Sequence, residues 1–226
     1  MQRTLLIIDI DGTLLAGQSS GRLAMEQACA ECLGVADALR GMSLQGRTDR
    51  AILEEAAARA GQKLDGPRWE ALGVSYCRWL GQTLVERGAQ AIAGAREFVT
   101  AAAGDPRFCL ALGTGNLEPA AHLKMRHIGL DRYFPVGGFG MRRERPEVIA
   151  EARGNAAAHW GEAFGPERTV VIGDAPLDVV AARANGFRVL AVTTGGGDLL
   201  ALVGERPDVL VPDLGDIPRL LAWLAA

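Results

Sequence analysis

This sequence has no stretch approaching the ~20 apolar residues that a membrane-crossing helix needs. Its first apolar run, Leu5 to Ile8, is interrupted by carboxylates and is too short for the core of a signal peptide. A cytoplasmic protein with no membrane partner is the expectation. Excess positive charge is also lacking. The formal net charge is −3, so no broad positive field draws a polyanion, and nucleic acid is not an expected partner. Small anions need only a local site. Cysteine is scarce, with four residues at 29, 32, 77 and 109. Cys29 and Cys32 have CxxC spacing but sit in a helical pattern, with no second pair and no neighbouring His. A zinc site is therefore not expected, and all four read as free thiols, buried or half-buried. Repeats and low-complexity tracts are absent too.

What is present is an ordinary globular balance, 226 residues with 49% hydrophobic and 23% charged. That length suits one large domain or a core domain carrying a smaller insert. The stretch Leu5 to Leu15, LLIIDIDGTLL, organises the rest. Its four leading aliphatic residues form the continuous apolar run of a strand buried on both faces. The run breaks at Asp9, Ile10, Asp11, Gly12 and Thr13. On an extended backbone Asp9 and Asp11 leave to one side while Ile10 stays with the core. Gly12 permits the turn, and Thr13 adds a hydroxyl. An Asp-Gly turn alone explains Asp11 and Gly12. It leaves Asp9 unexplained, because a carboxylate at a buried strand end is costly without a partner.

Residues from about 18 to 88 read as helix upon helix. The first carries Leu23, Met25, Ala28, Cys32 and Leu33 and ends near Gly34; the second is capped by Thr48 or Asp49; the third runs from about Pro67 to Glu86. This block reads as an insertion with its own small core. From residue 89 helices alternate with short apolar strands, at 108–112, 169–172, 188–192 and 208–211. The expectation is an α/β fold: a Rossmann-like parallel sheet, residues 1–16 and 89–226, with an inserted all-helical domain, residues 17–88. In such sheets ligands bind beyond the carboxyl ends of the strands.

Two further strand ends carry polar groups. FCLAL runs into Gly113, Thr114, Gly115 and Asn116 before a helix with Pro119 in its first turn, which offers a hydroxyl and free N–H groups to an anion. TVVI runs into Gly173, Asp174, Ala175, Pro176, Leu177 and Asp178. Singly, Thr114 and Asp174 are explicable as helix caps. Jointly, one sheet edge collects several acids, and like charges about 4 Å apart repel by roughly 4 kcal/mol at an effective dielectric near 20. A divalent cation relieves this, and oxygen ligands with room for a phosphate point to Mg2+. The run Gly195 to Gly197 lacks both the P-loop Lys and GxGxxG spacing and reads as a flexible loop.

In these features the chain resembles the haloacid dehalogenase-like superfamily along essentially its whole length. Asp9-Ile10-Asp11-Gly12-Thr13 resembles the first motif, Thr114 with Gly115 and Asn116 the second, and Gly173-Asp174 through Asp178 the fourth. The helical block is similar to the C1 cap of the phosphoglycolate phosphatase and β-phosphoglucomutase branch. The resemblance implies phosphoryl transfer through a covalent aspartyl-phosphate. Asp9 would be nucleophile and metal ligand, and Asp11 general acid and base with its main-chain carbonyl toward the metal. Thr114 would hold phosphoryl oxygens, with Gly12, Thr13, Gly115 and Asn116 also binding substrate. Asp174 would be a metal ligand, and Asp178 a second ligand or the partner of a basic group. Dehalogenases lack the second acid, so Asp11 favours phosphate chemistry.

The third motif departs from the commonest pattern. Where a Lys is usual, GFGMRRERPEVIAEA offers Arg142, Arg143 and Arg145. Spacing and the position just before Pro146 favour Arg145, whose guanidinium binds phosphate and carboxylate alike. Lys124, deep in the helix after Thr114, is expected to face solvent. In the cap, Gln45-Gly46-Arg47-Thr48-Asp49 resembles the segment that faces the active site, placing Arg47 to meet an anionic substrate. The expected substrate is a small phosphorylated metabolite, with phosphoglycolate a candidate. Rival readings are a β-phosphoglucomutase-like enzyme, a phosphonatase that would need Lys63 for a Schiff base, and a non-catalytic binding protein. Monomer and homodimer both stay open.

Overall fold

The computed structural model describes residues 2–17 and 19–226. Gln18, where the sequence pattern opens the helical insert, lies outside them. Six strands form a parallel sheet in the order β5-β4-β1-β6-β7-β8. They are β1 (Thr4–Ile8), β4 (Phe108–Gly113), β5 (Gly137–Gly138), β6 (Thr169–Gly173), β7 (Arg188–Val192) and β8 (Val209–Val211). Every residue of β1 is buried, as the apolar run requires. Ile8 pairs with Leu112 on one side and Ile172 on the other, so three strand ends carrying polar residues lie side by side. The chain order reverses about β1, which opens a crevice at its carboxyl end.

Alternate residues of β1 face opposite layers. Leu5 and Ile7 pack with Ile149 and Ala152 of α6 (Arg145–Trp160) and Val179 of α7 (Pro176–Ala184). Leu6 and Ile8 belong to a larger cluster with Phe98 of α4 (Ala95–Gly104), Met125 of α5 (Glu118–His127) and Leu224 of α9 (Ile217–Ala225). The fold is therefore a sheet covered on both faces. A short α8 (Leu199–Gly204) links β7 to β8.

The insert consists of α1 (Ser20–Leu33), α2 (Asp49–Arg59) and α3 (Gly66–Glu86). Its ends meet in a two-stranded ribbon, β2 (Leu15–Ala16) antiparallel to β3 (Gln90–Ala91). Thr48 caps α2 by accepting the Ala51 N–H, and Asp65 caps α3 by accepting that of Arg68. The reading of an insert with a core of its own is corrected by the packing. Ala24 and Met25 of α1 and Leu72 and Leu80 of α3 share one apolar cluster with Leu6 and Ile8 of the sheet. The reason is that α3 packs onto α5, which carries the cluster across. Among the described residues no helix is long and apolar enough to cross a membrane.

Candidate active site

Asp9 extends β1 by one residue, its N–H donating to the Ile172 carbonyl at 2.9 Å, and its side chain is buried. Arg145, the first residue of α6, is also buried, and its Nη2 lies 2.8 Å from Asp9 Oδ1. The same guanidinium donates to Asp178 Oδ1 through Nε (3.0 Å) and Nη2 (2.7 Å), and to the Gly113 carbonyl at 2.8 Å. One planar fork thus ties the ends of β1 and β4 to α7. Asp178 Oδ2 accepts the Ala175 N–H at 3.0 Å, so both oxygens of that carboxylate are engaged. Arg142 and Arg143 are exposed and pair with Glu151 and Glu54 respectively.

Asp174 is buried with weaker support. It accepts Thr13 Oγ1 at 3.0 Å and Gln45 Nε2 at 3.4 Å, both neutral donors. Carboxylate oxygens of Asp9, Asp174 and Asp178 lie within 4.8 Å of one another. Among the described residues Arg145 is the buried cation bonded to this group, so three acids face one positive charge. That imbalance fits a divalent metal, which the three carboxylates can coordinate. Burial is the main cause that pushes Asp9 up to about 6, against the attraction of Arg145. Burial, then the charges of Asp178 and Asp9, push Asp174 up to about 8.

Asp11 is not in that carboxylate group. Its side chain is 47% exposed to the cavity, and Oδ2 accepts Asn116 Nδ2 at 2.7 Å and Lys124 Nζ at 2.6 Å. The expected metal contact of Asp11 is through its main-chain carbonyl, with the carboxylate left for other work. Thr114 is fully buried, and its Oγ1 accepts from the Asn116 main chain (3.3 Å) and side chain (2.8 Å). Gly12 has φ 82°, and a Cβ there would sit 2.5 Å from Asp174 Oδ2. Gly115 lies against the cap, its carbonyl accepting the Asp49 N–H at 2.6 Å. The structure does not turn Arg47 toward the phosphate end. It lines the cavity, but its guanidinium pairs with Glu55 at 2.8 Å and with the Ser43 and Ala51 carbonyls.

Lys124 overturns the expectation of a solvent-facing side chain. It is 3% exposed, and besides Asp11 it donates to Asn116 Oδ1 at 2.5 Å. The ammonium is affordable in the interior because two oxygens and a carboxylate charge receive it. The sequence does carry a signal of this, since Lys124 continues the helical row of Leu117, Ala120, Ala121 and Ile128 on the buried face, but the acid that receives it comes from the distant end of β1.

A family model for haloacid dehalogenase-like hydrolases matches residues 4–186 of this arrangement. The chain belongs to that family. It is a haloacid dehalogenase-like hydrolase with an inserted helical cap. Its fold is shared with a hydrolase from Pseudomonas syringae, at a TM-score of 0.75 and 20% identity over 99% of this chain and 100% of that one. A phosphoglycolate phosphatase from Nitrosococcus oceani is 35% identical over 103 residues, 45% of this chain and 44% of that protein. A tyrosine-protein kinase PtkA from Mycobacterium tuberculosis is 33% identical over 92 residues, 39% of this chain and 30% of that protein. The matches span less than half the length of these curated relatives.

In this hydrolase the glycine run after β7 is more than a flexible loop. A Cβ on Gly195 would lie 1.7 Å from Asp174 Oδ2, and one on Gly197 would lie 2.1 Å from Gln45 Nε2. The loop can pass behind the acid because it has no side chains there. Gly195→Ala should push the Asp174 carboxylate from its place and weaken the affinity of the acidic cluster for a divalent metal about 10- to 100-fold. Calorimetric titration with Mg2+ checks this, and an unchanged affinity would count against Asp174 as a ligand.

Asp49, read from sequence as a helix cap, is a buried member of the cavity wall. One of its oxygens accepts the Leu117 N–H at 2.7 Å, which couples cap to core. Burial pushes its carboxyl up to about 7, against the opposing pull of Lys124. Folded protein therefore keeps a proton that the unfolded chain, with an ordinary pKa near 3.9, releases. Stability from this group falls as pH rises from about 4 to about 7 and then levels off, by on the order of a few kcal/mol. Asp49→Asn should flatten that part of the profile in denaturant titrations; an identical slope in the variant would remove Asp49 as its source.

Proposed function

We propose that this hydrolase is a Mg2+-dependent phosphomonoesterase that works through an aspartyl-phosphate on a small phosphorylated metabolite. The observation that carries the reading is Asp9: a buried carboxylate at a strand end, with one oxygen held by Arg145 and Asp11 two residues away. In this reading Asp9 attacks phosphorus with its second oxygen; the Asp9–phosphorus bond forms as the bond to the leaving oxygen breaks. Asp11 gives that oxygen a proton. Asn116 and Lys124 hold Asp11 by Oδ2, which leaves its other oxygen toward the leaving group. Asp11 then takes a proton from water, the water oxygen bonds to phosphorus, and Asp9 is released with free phosphate.

Thr114 and the N-terminus of α5 suit the phosphoryl oxygens, as does the Arg145 guanidinium. Asp9 and Asp174 are the ligands we assign to Mg2+, with Asp178 acting chiefly through Arg145, which it grips with its Oδ1. When bound, the ion supplies positive charge against the acids and the phosphate. Residues 17–88 would form the cap and 1–16 with 89–226 the core. A cavity of about 410 Å³ between them fits a small substrate. Phosphoglycolate, named in the Nitrosococcus relative, is one candidate.

The test is phosphate release from a panel of small phosphomonoesters, with Mg2+ and with excess chelator. Release that needs Mg2+ is the expected result. A folded, Mg2+-binding protein that releases phosphate from none of them would overturn the reading, and turnover only with a bisphosphate activator would replace it with a phosphomutase.

A further inference from the structure

Helix α2 of the insert reaches the core through its first turn. Asp49, its first residue, makes two bonds to the loop after β4: its N–H donates to the Gly115 carbonyl at 2.6 Å, and its Oδ2 accepts the Leu117 N–H at 2.7 Å. These two bonds straddle Asn116. Arg50, the next residue, donates its N–H to the Gly140 carbonyl at 3.1 Å, and Gly140 donates to the Asn116 carbonyl at 2.7 Å. Such a close approach needs glycine on the core side. A Cβ on Gly115 would lie 2.0 Å from the Arg47 carbonyl oxygen, and one on Gly140 would lie 1.8 Å from that of Gly115.

Leu117 stands at the N-cap of α5 and has no side-chain cap to offer, so the buried N–H groups at that helix start need an acceptor from elsewhere. Asp49 supplies it from the insert. Its carboxyl is itself held in place: the buried Tyr76 hydroxyl of α3 bonds to it, and the Lys124 ammonium attracts it. What the gripped loop carries decides what the grip is for. Asn116, between the two bonds, donates through Nδ2 to Thr114 Oγ1 at 2.8 Å and to Asp11 Oδ2 at 2.7 Å, and its Oδ1 accepts from Lys124 at 2.5 Å. A shift of this loop would move the Thr114 hydroxyl and the support of Asp11 together.

Resting on the phosphatase reading, we infer that Asp49 is a positioning residue of the reaction: it fixes the loop through which Asn116 aims Asp11 at the leaving oxygen. Asp49 acts through Asn116 and not on the reacting atoms, and the site is complete only with the start of α2 seated on the core. Misplacing a reacting group by about 1 Å costs on the order of 100-fold in rate. The loss depends on the ester. An alkoxide needs the proton of Asp11 in order to leave, whereas p-nitrophenolate leaves without one.

The experiment measures kcat/KM for glycerol 1-phosphate and p-nitrophenyl phosphate. Asp49→Ala should lower the value for glycerol 1-phosphate about 10- to 100-fold, and at least about fivefold more than the value for p-nitrophenyl phosphate. Asp49→Asn keeps an oxygen for the Leu117 N–H and should stay within about threefold of wild type on both esters. Glu54→Gln, which breaks the exposed pair with Arg143, should change neither. Equal losses on the two esters, as from a partly unfolded enzyme, no loss in Asp49→Ala, or the same loss in Asp49→Asn would overturn the inference. Asp49→Ser, one atom shorter than Asp49, replaces Asp49→Ala should that variant not fold. Amide hydrogen exchange reads the grip without turnover: Leu117 should exchange about tenfold faster or more in Asp49→Ala and at the wild-type rate in Asp49→Asn. If the wild type hydrolyses neither ester, the phosphatase reading fails; faster Leu117 exchange that Asp49→Asn restores would still uphold the grip on the loop, and unchanged exchange would sink it.

Discussion

Asp9→Asn is expected to cut phosphate release by about 10,000-fold or more while leaving the protein folded. The amide is isosteric with the carboxylate and can still accept from Arg145 Nη2, but it cannot carry a phosphoryl group to water. Folding should not suffer. Asp9 shares its buried site with Asp174 and Asp178, and neutralising one of three neighbouring acids relieves repulsion in metal-free protein. Circular dichroism and thermal melting of the variant, run beside the phosphate assay, separate lost chemistry from lost structure. Activity within tenfold of wild type in a folded variant would remove Asp9 as nucleophile.

Arg145→Ala should be damaging in a second way. Its guanidinium is the buried positive charge for Asp9 and Asp178, with contacts of 2.8 and 2.7 Å, and both carboxylates stay buried when it is gone. Removing one partner of a buried ion pair costs about 3–5 kcal/mol. Arg145→Ala should thus lower both turnover and stability, with the stability deficit smaller in Mg2+ than in chelator because the ion supplies part of the missing charge. Arg145→Lys should recover some of each, short of wild type, since an ammonium cannot hold Asp9, Asp178 and the Gly113 carbonyl in one plane. Arg142→Ala, at an exposed pair with Glu151, should change stability by no more than about 0.5 kcal/mol. Urea titrations of the three variants rank them, and equal effects of the substitutions at 142 and 145 would break the assignment.

Much of the fold is legible in local sequence. The helices start and stop where caps and glycines put them, as at Thr48 before α2 and Gly34 after α1. The strands of the sheet show themselves as apolar runs that end in DxDGT, TGN and GDxxxD. Two short ladders escaped. The β2–β3 ribbon has two residues per strand, and β5 is Gly137–Gly138, so neither is long enough to show a period.

Chemistry concentrated on one side chain type was also readable. Acids at buried strand ends are conspicuous because an unpaired carboxylate is costly there, and this singled out Asp9, while Asp174, explicable alone as a helix cap, stood out only together with the other strand ends. Arg145 could be preferred to Arg142 and Arg143 from its place before Pro146. The partners that make those charges tolerable were not readable, because they arrive from distant segments: Lys124 meets Asp11 across 113 positions and Gln45 meets Asp174 across 129. Tyr76 reads in sequence as one more apolar residue of a helix face.

The sequence by itself determined the parallel sheet, the helical insert and the line of acids at one sheet edge, since each follows from periodicity, capping or the cost of a buried charge within a few residues. Only the tertiary structure decided which acid each cation meets and which polar side chains are buried at the cavity. Arg47 turns to Glu55, Lys124 turns inward to Asp11, and Asp49 is buried in the wall of the cavity. Pairing of this kind depends on distances between side chains far apart in the chain, and those distances exist only once the cap has packed on the sheet.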